Sequence, residues 1–62
     1  MPMIRVQMFP GRTDGQKEAL VKELTEAIVR TCDAKQDDVW VIIDEVDREH
    51  WALGGTMYSR RQ

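Results

Sequence analysis

Residues 39–46 read VWVIIDEV, and this stretch decides the fold. Five of its eight residues are β-branched, and Val41 to Ile43 form a continuous apolar run. Such a run is typical of a strand that is covered on both faces. The stretch therefore predicts a β-strand that lies inside the molecule or between molecules.

A second strand is predicted upstream, over residues 2–9. Ile4, Val6 and Met8 fall on one face of this segment, and the residues between them fall on the other. This period of two is the pattern of a β-strand. Pro10-Gly11 ends it, since neither residue favours the continuation of a strand.

A helix is predicted between the two strands, over residues 14–32. Thr13 has the side chain of an N-cap, and Gln16 stands three residues later, which completes a capping box. Apolar residues then recur at helical spacing, at Leu20, Leu24 and Ile28 among others. The helix is therefore amphipathic, with one face suited to packing on a sheet.

These elements predict an α/β fold with a single domain over residues 1–62. Two strands joined by a helical crossover run parallel, with a right-handed connection. Gly54-Gly55 is a flexible turn, and residues 56–59 are a short strand or an arm. The expected unit is βαβ with a short C-terminal hairpin or arm.

The size of the chain favours an oligomer. Sixty-two residues are close to the lower limit for a stable lone domain. Cys32 is the single cysteine, so no intramolecular disulfide can form. Association with other chains is the remaining source of stability. The absence of a signal peptide pattern or an apolar span favours a cytoplasmic protein with no membrane partner.

The charge and the titratable residues exclude several classes of site. The formal net charge of −2 argues against a nucleic-acid partner, because such proteins neutralise phosphates. Cys32 lies at the end of the predicted helix and not at its activating N-terminus, which favours an inert thiol. His50 is the only histidine, and its setting beside Glu49 is typical of a surface residue. The acidic residues lack the spacing of a metal site, so no metal is expected.

Pro2 is a candidate catalytic residue, although from its position alone it is equally interpreted as a proline that merely starts a strand. Initiator methionine is commonly removed before a small residue, and its removal would leave a secondary amine at the start of the first strand. Such an amine is a base whose pKa an apolar pocket or nearby cations can lower. A base works best when its pKa is close to the working pH.

The chain resembles the 4-oxalocrotonate tautomerase family over essentially its whole length. Four features carry the resemblance, in order along the chain: Met1-Pro2 at the first strand, GRTDGQK at residues 11–17, VIIDEV at 41–46, and WALGG at 51–55. The resemblance implies a βαβ unit with a short C-terminal hairpin. Two units pair into a four-stranded dimer, and the dimers gather into a trimer of dimers, a homo-hexamer.

The resemblance also implies an activity and its residues. Pro2 is the general base, Arg12 binds the substrate carboxylate, and Trp51 forms an aromatic wall that reaches in from a neighbouring subunit. The reaction is keto–enol tautomerisation of a small unsaturated 2-hydroxy or 2-oxo acid, without a cofactor. The residue chemistry agrees, because arginine binds carboxylates bidentately and tryptophan offers an apolar slot.

Two departures leave an alternative open. Trp40 stands where well-known members of the family carry a second substrate-binding arginine, so a monoacid with an aryl or alkyl tail is favoured over a dicarboxylate. Trp40 either shapes the pocket or belongs to an interface, and Arg5 is a conceivable substitute cation. If Met1 is retained, the Pro2 nitrogen is an amide and no base. The alternative is a non-enzymatic ligand-binding or assembly subunit of the same fold.

Overall fold

Two parallel strands and one long helix form the body of the chain. The structure is a computed structural model, and it describes residues 2–60. Strand β1 spans Met3–Met8, helix α1 spans Asp14–Cys32, and strand β2 spans Trp40–Glu45. The strands pair in parallel from Met3↔Trp40 to Met8↔Glu45. The predicted βαβ unit is confirmed, and each predicted strand is one residue too long at either end.

Local sequence explains where the helix begins and ends. The Thr13 side chain accepts a hydrogen bond from the Gln16 N–H at 3.1 Å, and the Thr13 N–H donates to the Gln16 side chain at 2.9 Å. This reciprocal capping box satisfies two backbone groups at the first turn. Asp33 ends the helix in the left-handed conformation, with φ of 56°. The predicted bounds of 14–32 are confirmed.

The C-terminal part of the chain is a small hairpin between short 3₁₀ turns. Strand β3 spans Ala52–Leu53 and pairs antiparallel with β4, Thr56–Met57. Gly54 and Gly55 connect them with φ of 62° and 84°. Positive φ at both central residues suits a tight hairpin turn. The 3₁₀ turns are Gln36–Asp38, Arg48–His50 and Tyr58–Arg60.

One face of the two-stranded sheet is open. Ile4 and Val6 of β1, with Val41 and Ile43 of β2, are half-buried on the side of the helix. The opposite face exposes Met3, Trp40 and Ile42 by 54%, 53% and 38%. The expectation that β2 is covered on both faces is therefore not met within one chain, because a single helix covers only one side of the sheet.

The chain also exposes more surface than a compact monomer of its mass. Its accessible area is 5156 Å², whereas a folded monomer of this mass exposes about 4100 Å². Its radius of gyration is 14.8 Å, against about 11 Å for a compact chain of this length. No residue in the described range 2–60 is fully buried. No helix in that range combines the length and apolarity that a membrane span requires.

Candidate active site

Pro2 lies at the head of β1, beside an open cavity of about 570 Å³. Its carbonyl accepts a 3.0 Å hydrogen bond from the Trp40 N–H, which fixes the start of β1 against the start of β2. Pro2 is half-buried. The remaining lining comes from the end of α1 and the connection that follows it: Cys32, Asp33, Ala34, Lys35 and Asp38. A small molecule in this cavity would contact Pro2.

Trp40 occupies the same end of the sheet but does not line that cavity. Its side chain is 53% exposed on the open face, next to Met3 in the register of the two strands. Within one chain, this position fits an interface more directly than a pocket wall. The expectation that Trp40 shapes the pocket remains a prediction about the assembled protein.

Arg12 lies in the turn between β1 and α1. Gly11, just before it, has φ of 122°, a conformation that glycine adopts without strain. Arg12 lines a second cavity, of about 290 Å³, together with Met8, Gln16, Lys17 and Leu20. The ammonium of Lys17 is already held by Glu45 at 3.3 Å. Arg12 forms no ion pair with another residue of the range 2–60, so its guanidinium is available to bind an anion.

Trp51 is part of an aromatic cluster at the far end of β1. The ring centroids of Trp51 and Phe9 are 4.6 Å apart, and those of Phe9 and Tyr58 are 4.8 Å apart. The Arg48 guanidinium lies 4.6 Å from the Phe9 centroid and 5.8 Å from that of Tyr58. The Tyr58 N–H donates to the Trp51 carbonyl at 2.6 Å. Trp51 is therefore held against a packed apolar surface, as a pocket wall requires.

A single chain does not bring the predicted site residues together. Pro2 precedes β1, whereas Arg12 and the Trp51 cluster lie beyond its other end. The six residues of β1 extend over roughly 20 Å at about 3.3 Å per residue. No small substrate can contact Pro2 and Arg12 of the same chain at once. A site that uses both needs two copies.

Arg5 is not a free cation. Its Nε donates to the Asp44 carboxylate at 2.6 Å on the open face of the sheet. This hydrogen bond, with the charge of Asp44, raises the pKa of Arg5 above its ordinary value. Arg5 therefore does not replace the missing second-strand arginine within the chain. Glu45, on the other face, holds Lys17, and no group of metal-binding side chains is found among residues 2–60.

Sequence reasoning missed Lys35 and Asp38 as neighbours of Pro2. The topology could have indicated both residues. In a parallel pair, the residues just before the second strand lie beside the start of the first strand, where Pro2 is. Sequence reasoning also missed Phe9 and Arg48 as supports of Trp51.

Cys32, interpreted as an inert thiol, is exposed and lines the Pro2 cavity. His50 is exposed beside Trp51, consistent with its interpretation as a surface residue.

Comparison with known proteins places the whole chain in one group. Residues 2–61 match the family model described as "Tautomerase enzyme". A 2-hydroxymuconate tautomerase from Pseudomonas putida is 42% identical over 60 residues, covering 97% of this chain and 95% of the relative. A 2-hydroxymuconate tautomerase from Bacillus subtilis strain 168 is 41% identical over 59 residues, covering 95% of each chain.

Solved structures agree with the sequence matches. The crystal structure of YwhB, a homologue of 4-oxalocrotonate tautomerase, aligns with a TM-score of 0.94 at 38% identity, covering 98% of this chain and 100% of the other. A heterohexamer 4-oxalocrotonate tautomerase from Chloroflexus aurantiacus J-10-fl aligns with a TM-score of 0.89 at 32% identity, covering both chains fully.

Proposed function

Since this chain belongs to the 4-oxalocrotonate tautomerase family of the tautomerase superfamily, we propose that it ketonises a small enolisable 2-hydroxy or 2-oxo acid with the amine of Pro2 as the general base. The observation that carries the proposal is the position of Pro2, half-buried at the head of β1 and facing an open cavity. Removal of Met1 would turn its nitrogen from an amide into a basic amine.

The proposed reaction moves one proton from oxygen to carbon in two transfers, first to Pro2 and then from it. The Pro2 nitrogen takes the proton of the enol hydroxyl, and the electron pair moves through the conjugated chain to form the ketone. The Pro2 ammonium then returns the proton to a carbon of that chain. Arg12 binds the carboxylate, and Trp51 covers the carbon chain and lowers the local dielectric. None of these steps requires a cofactor.

The functional unit in this proposal is an oligomer, most simply a homo-hexamer built as a trimer of dimers. In a dimer with a two-fold axis, both partners use the same surface, and strands that lie across the axis run in opposite directions. An antiparallel arrangement of two sheets therefore brings Arg12 and Trp51 of one copy towards Pro2 of another. The open sheet face and the excess of exposed area over a compact monomer support association. The Chloroflexus relative is a heterohexamer, so partner chains need not be identical.

The substrate we favour carries one carboxylate. The two relatives named above are 2-hydroxymuconate tautomerases, and 2-hydroxymuconate is a dicarboxylate. This chain has neutral Trp40 at the second-strand position, and Arg5 is occupied by Asp44. Of the two arginines considered as carboxylate ligands, Arg5 and Arg12, only Arg12 is without an ion pair among residues 2–60, and it would bind one carboxylate. A monoacid with an aryl or alkyl tail, such as phenylenolpyruvate, fits this set of charges.

The decisive experiment compares two forms of the same sequence, with and without Met1. A mass measurement identifies each form, and ketonisation of phenylenolpyruvate is followed by absorbance. The Met1-free form should be active, and the form that keeps Met1 should be slower by about 10² to 10⁴, the usual contribution of a general base. Pro2→Ala, which leaves a primary amine in a different geometry, should also be strongly impaired. Equal rates in the two forms would refute the Pro2 mechanism.

A non-enzymatic ligand-binding or assembly subunit is the second candidate. Trp40 is exposed and uncharged, whereas the family resemblance implies an arginine at this position, and this difference favours the second candidate. This candidate predicts that a sample verified to lack Met1 does not convert any enol substrate. Binding of an enol acid without turnover would then decide for this candidate.

A further inference from the structure

The cavity beside Pro2 contains charged side chains that the proposed reaction does not use. Asp33, Lys35 and Asp38 line it, together with Cys32 and Ala34. Asp38 is half-buried, whereas its neighbour Asp37 is exposed and does not line the cavity. Two aspartates on one turn thus differ in burial and in whether they lie beside Pro2.

Backbone hydrogen bonds fix the turn that carries Asp38 against Pro2. The Asp38 N–H donates to the Lys35 carbonyl at 3.0 Å, and the Val39 N–H donates to the Gln36 carbonyl at 3.2 Å. Two residues after Asp38, the Trp40 N–H donates to the Pro2 carbonyl. The position of Asp38 relative to Pro2 is therefore set by the start of the sheet and not by a free loop.

The Asp38 carboxylate is not used by a cation elsewhere in the described chain. The ion pairs among residues 2–60 join Arg5 to Asp44 and Lys17 to Asp14 and Glu45. Lys35, although it lines the same cavity, lies outside ion-pair distance of both Asp33 and Asp38. The end of α1 adds a partial negative charge at Cys32 and Asp33. This side of the cavity is thus suited to a cation.

We propose that Asp38 is the counter-ion of Pro2: its carboxylate stabilises the ammonium that forms when the Pro2 amine takes the substrate proton. Asp38 acts through Pro2 and does not touch the substrate, so it is a positioning residue. The proposal rests on the proposed function in one respect, the free amine of Pro2. Lys35 opposes the effect of Asp38, since a cation in the same cavity disfavours the ammonium.

The proposal predicts shifts of opposite sign for two substitutions. Removing the carboxylate in Asp38→Asn should lower the pKa of the Pro2 amine by about half to one unit, the size expected for a neighbouring charge in a partly solvated site. Lys35→Gln should raise that pKa. Asp37→Asn is the matched control, with the same change of charge one residue away, and should leave the pKa close to that of the parent.

The test is a pH titration of the Pro2 nitrogen by ¹⁵N NMR in protein labelled with ¹⁵N-proline. Each sample is first freed of Met1 by a methionine aminopeptidase and verified by mass. Pro10 is the only other proline, and its amide nitrogen does not titrate, so the titrating signal belongs to Pro2. Asp38→Glu should retain the parent value. A shift in Asp38→Asn no larger than in Asp37→Asn would overturn the proposal.

A second measurement covers the case in which Asp38→Asn does not fold. Salt screens the attraction between the carboxylate and the ammonium, so the pKa of Pro2 should fall as NaCl is raised from about 0.02 M to about 1 M in Arg12→Ala, which lacks the cation that the proposed function brings to Pro2 from a neighbouring copy. In the same background, the pKa should fall equally in Asp37→Asn and further in Lys35→Gln. A pKa that rises with salt in Arg12→Ala combined with Lys35→Gln would overturn the proposal.

Failure of the inference is separable from failure of the proposed function. The titration needs no substrate, so a Pro2 pKa that depends on Asp38 supports the inference even if no enol turns over. Where turnover is found, the rising limb of kcat/KM against pH should move to lower pH in Asp38→Asn by the same amount as the NMR pKa. If the rising limb of the kcat/KM profile stayed at the same pH in Asp38→Asn, Asp38 would have no effect on the Pro2 base during the reaction.

Discussion

The Trp40 N–H donates a 3.0 Å hydrogen bond to the Pro2 carbonyl, one step beyond the register that begins at Met3↔Trp40. The bond extends the parallel pairing to the residue that would carry the N-terminal amine. Pro2 is therefore positioned by the sheet itself. The residue is held at the start of a rigid element, which suits the proposed proton transfer because that step depends on geometry.

Trp40→Arg should shift the substrate preference towards dicarboxylates. The substitution supplies a second cation that can pair with a distal carboxylate. We expect kcat/KM for 2-hydroxymuconate to rise about tenfold relative to phenylenolpyruvate, mostly through KM, as one charge-assisted hydrogen bond allows. Trp40→Met, an apolar change, is the control. Parallel changes for both substrates would contradict a charge-based preference.

Two inactive variants should restore activity when they assemble together. Pro2→Ala keeps Arg12, and Arg12→Ala keeps Pro2, so a mixed oligomer contains some sites with both residues intact. Random co-assembly in equal amounts should make about one quarter of the sites complete. The samples are mixed after unfolding, refolded, and assayed with phenylenolpyruvate. Activity that stays at the level of the single variants would show that each site lies within one chain.

Phe9→Leu should loosen Trp51. The change retains apolar bulk but removes two aromatic contacts, those with Trp51 and Tyr58. At about 0.5–1.5 kcal/mol for each pair, the free energy of unfolding should fall by about 1–3 kcal/mol. In a Trp40→Phe background, the emission of Trp51 should shift to longer wavelength. Leu53→Ala, at a residue that is 57% exposed, should change neither quantity appreciably.

Thr13→Ala should weaken the start of α1. The Thr13 side chain and the Gln16 side chain satisfy each other's backbone N–H groups at 3.1 Å and 2.9 Å. Loss of the cap should cost about 1 kcal/mol in the free energy of unfolding. Urea denaturation at one fixed protein concentration measures it. Thr25→Ala, within the helix, is the control, and an equal loss there would deny Thr13 a special role.

The fold was predictable because its determinants are local. The alternation around Val6, the capping box at Thr13 and the β-branched residues around Ile42 each specify one element within a few positions. Helix bounds of 14–32 follow from the cap and the apolar stripe. The exposure of Ile42 was not predictable, because its apolar character indicates coverage without indicating whether the same chain provides it.

The site was predictable in part, for a different reason. The resemblance singled out Pro2, Arg12 and Trp51 as residue types in order along the chain, and their roles remain proposals. Asp38 and Lys35 escaped notice because their proximity to Pro2 arises from the register of two strands 37 positions apart, Met3 opposite Trp40. Side chains brought together by such a return leave no periodic signal in the sequence.

The length of β1 between Pro2 and Arg12 has a consequence for regulation by processing. In the proposed oligomer, each subunit would contribute Pro2 to one site and Arg12 and Trp51 to another. A subunit that keeps Met1 would then still provide its arginine and its aromatic wall, although its own amine would be blocked. Partial removal of Met1 would therefore set the number of active sites in an oligomer of constant size.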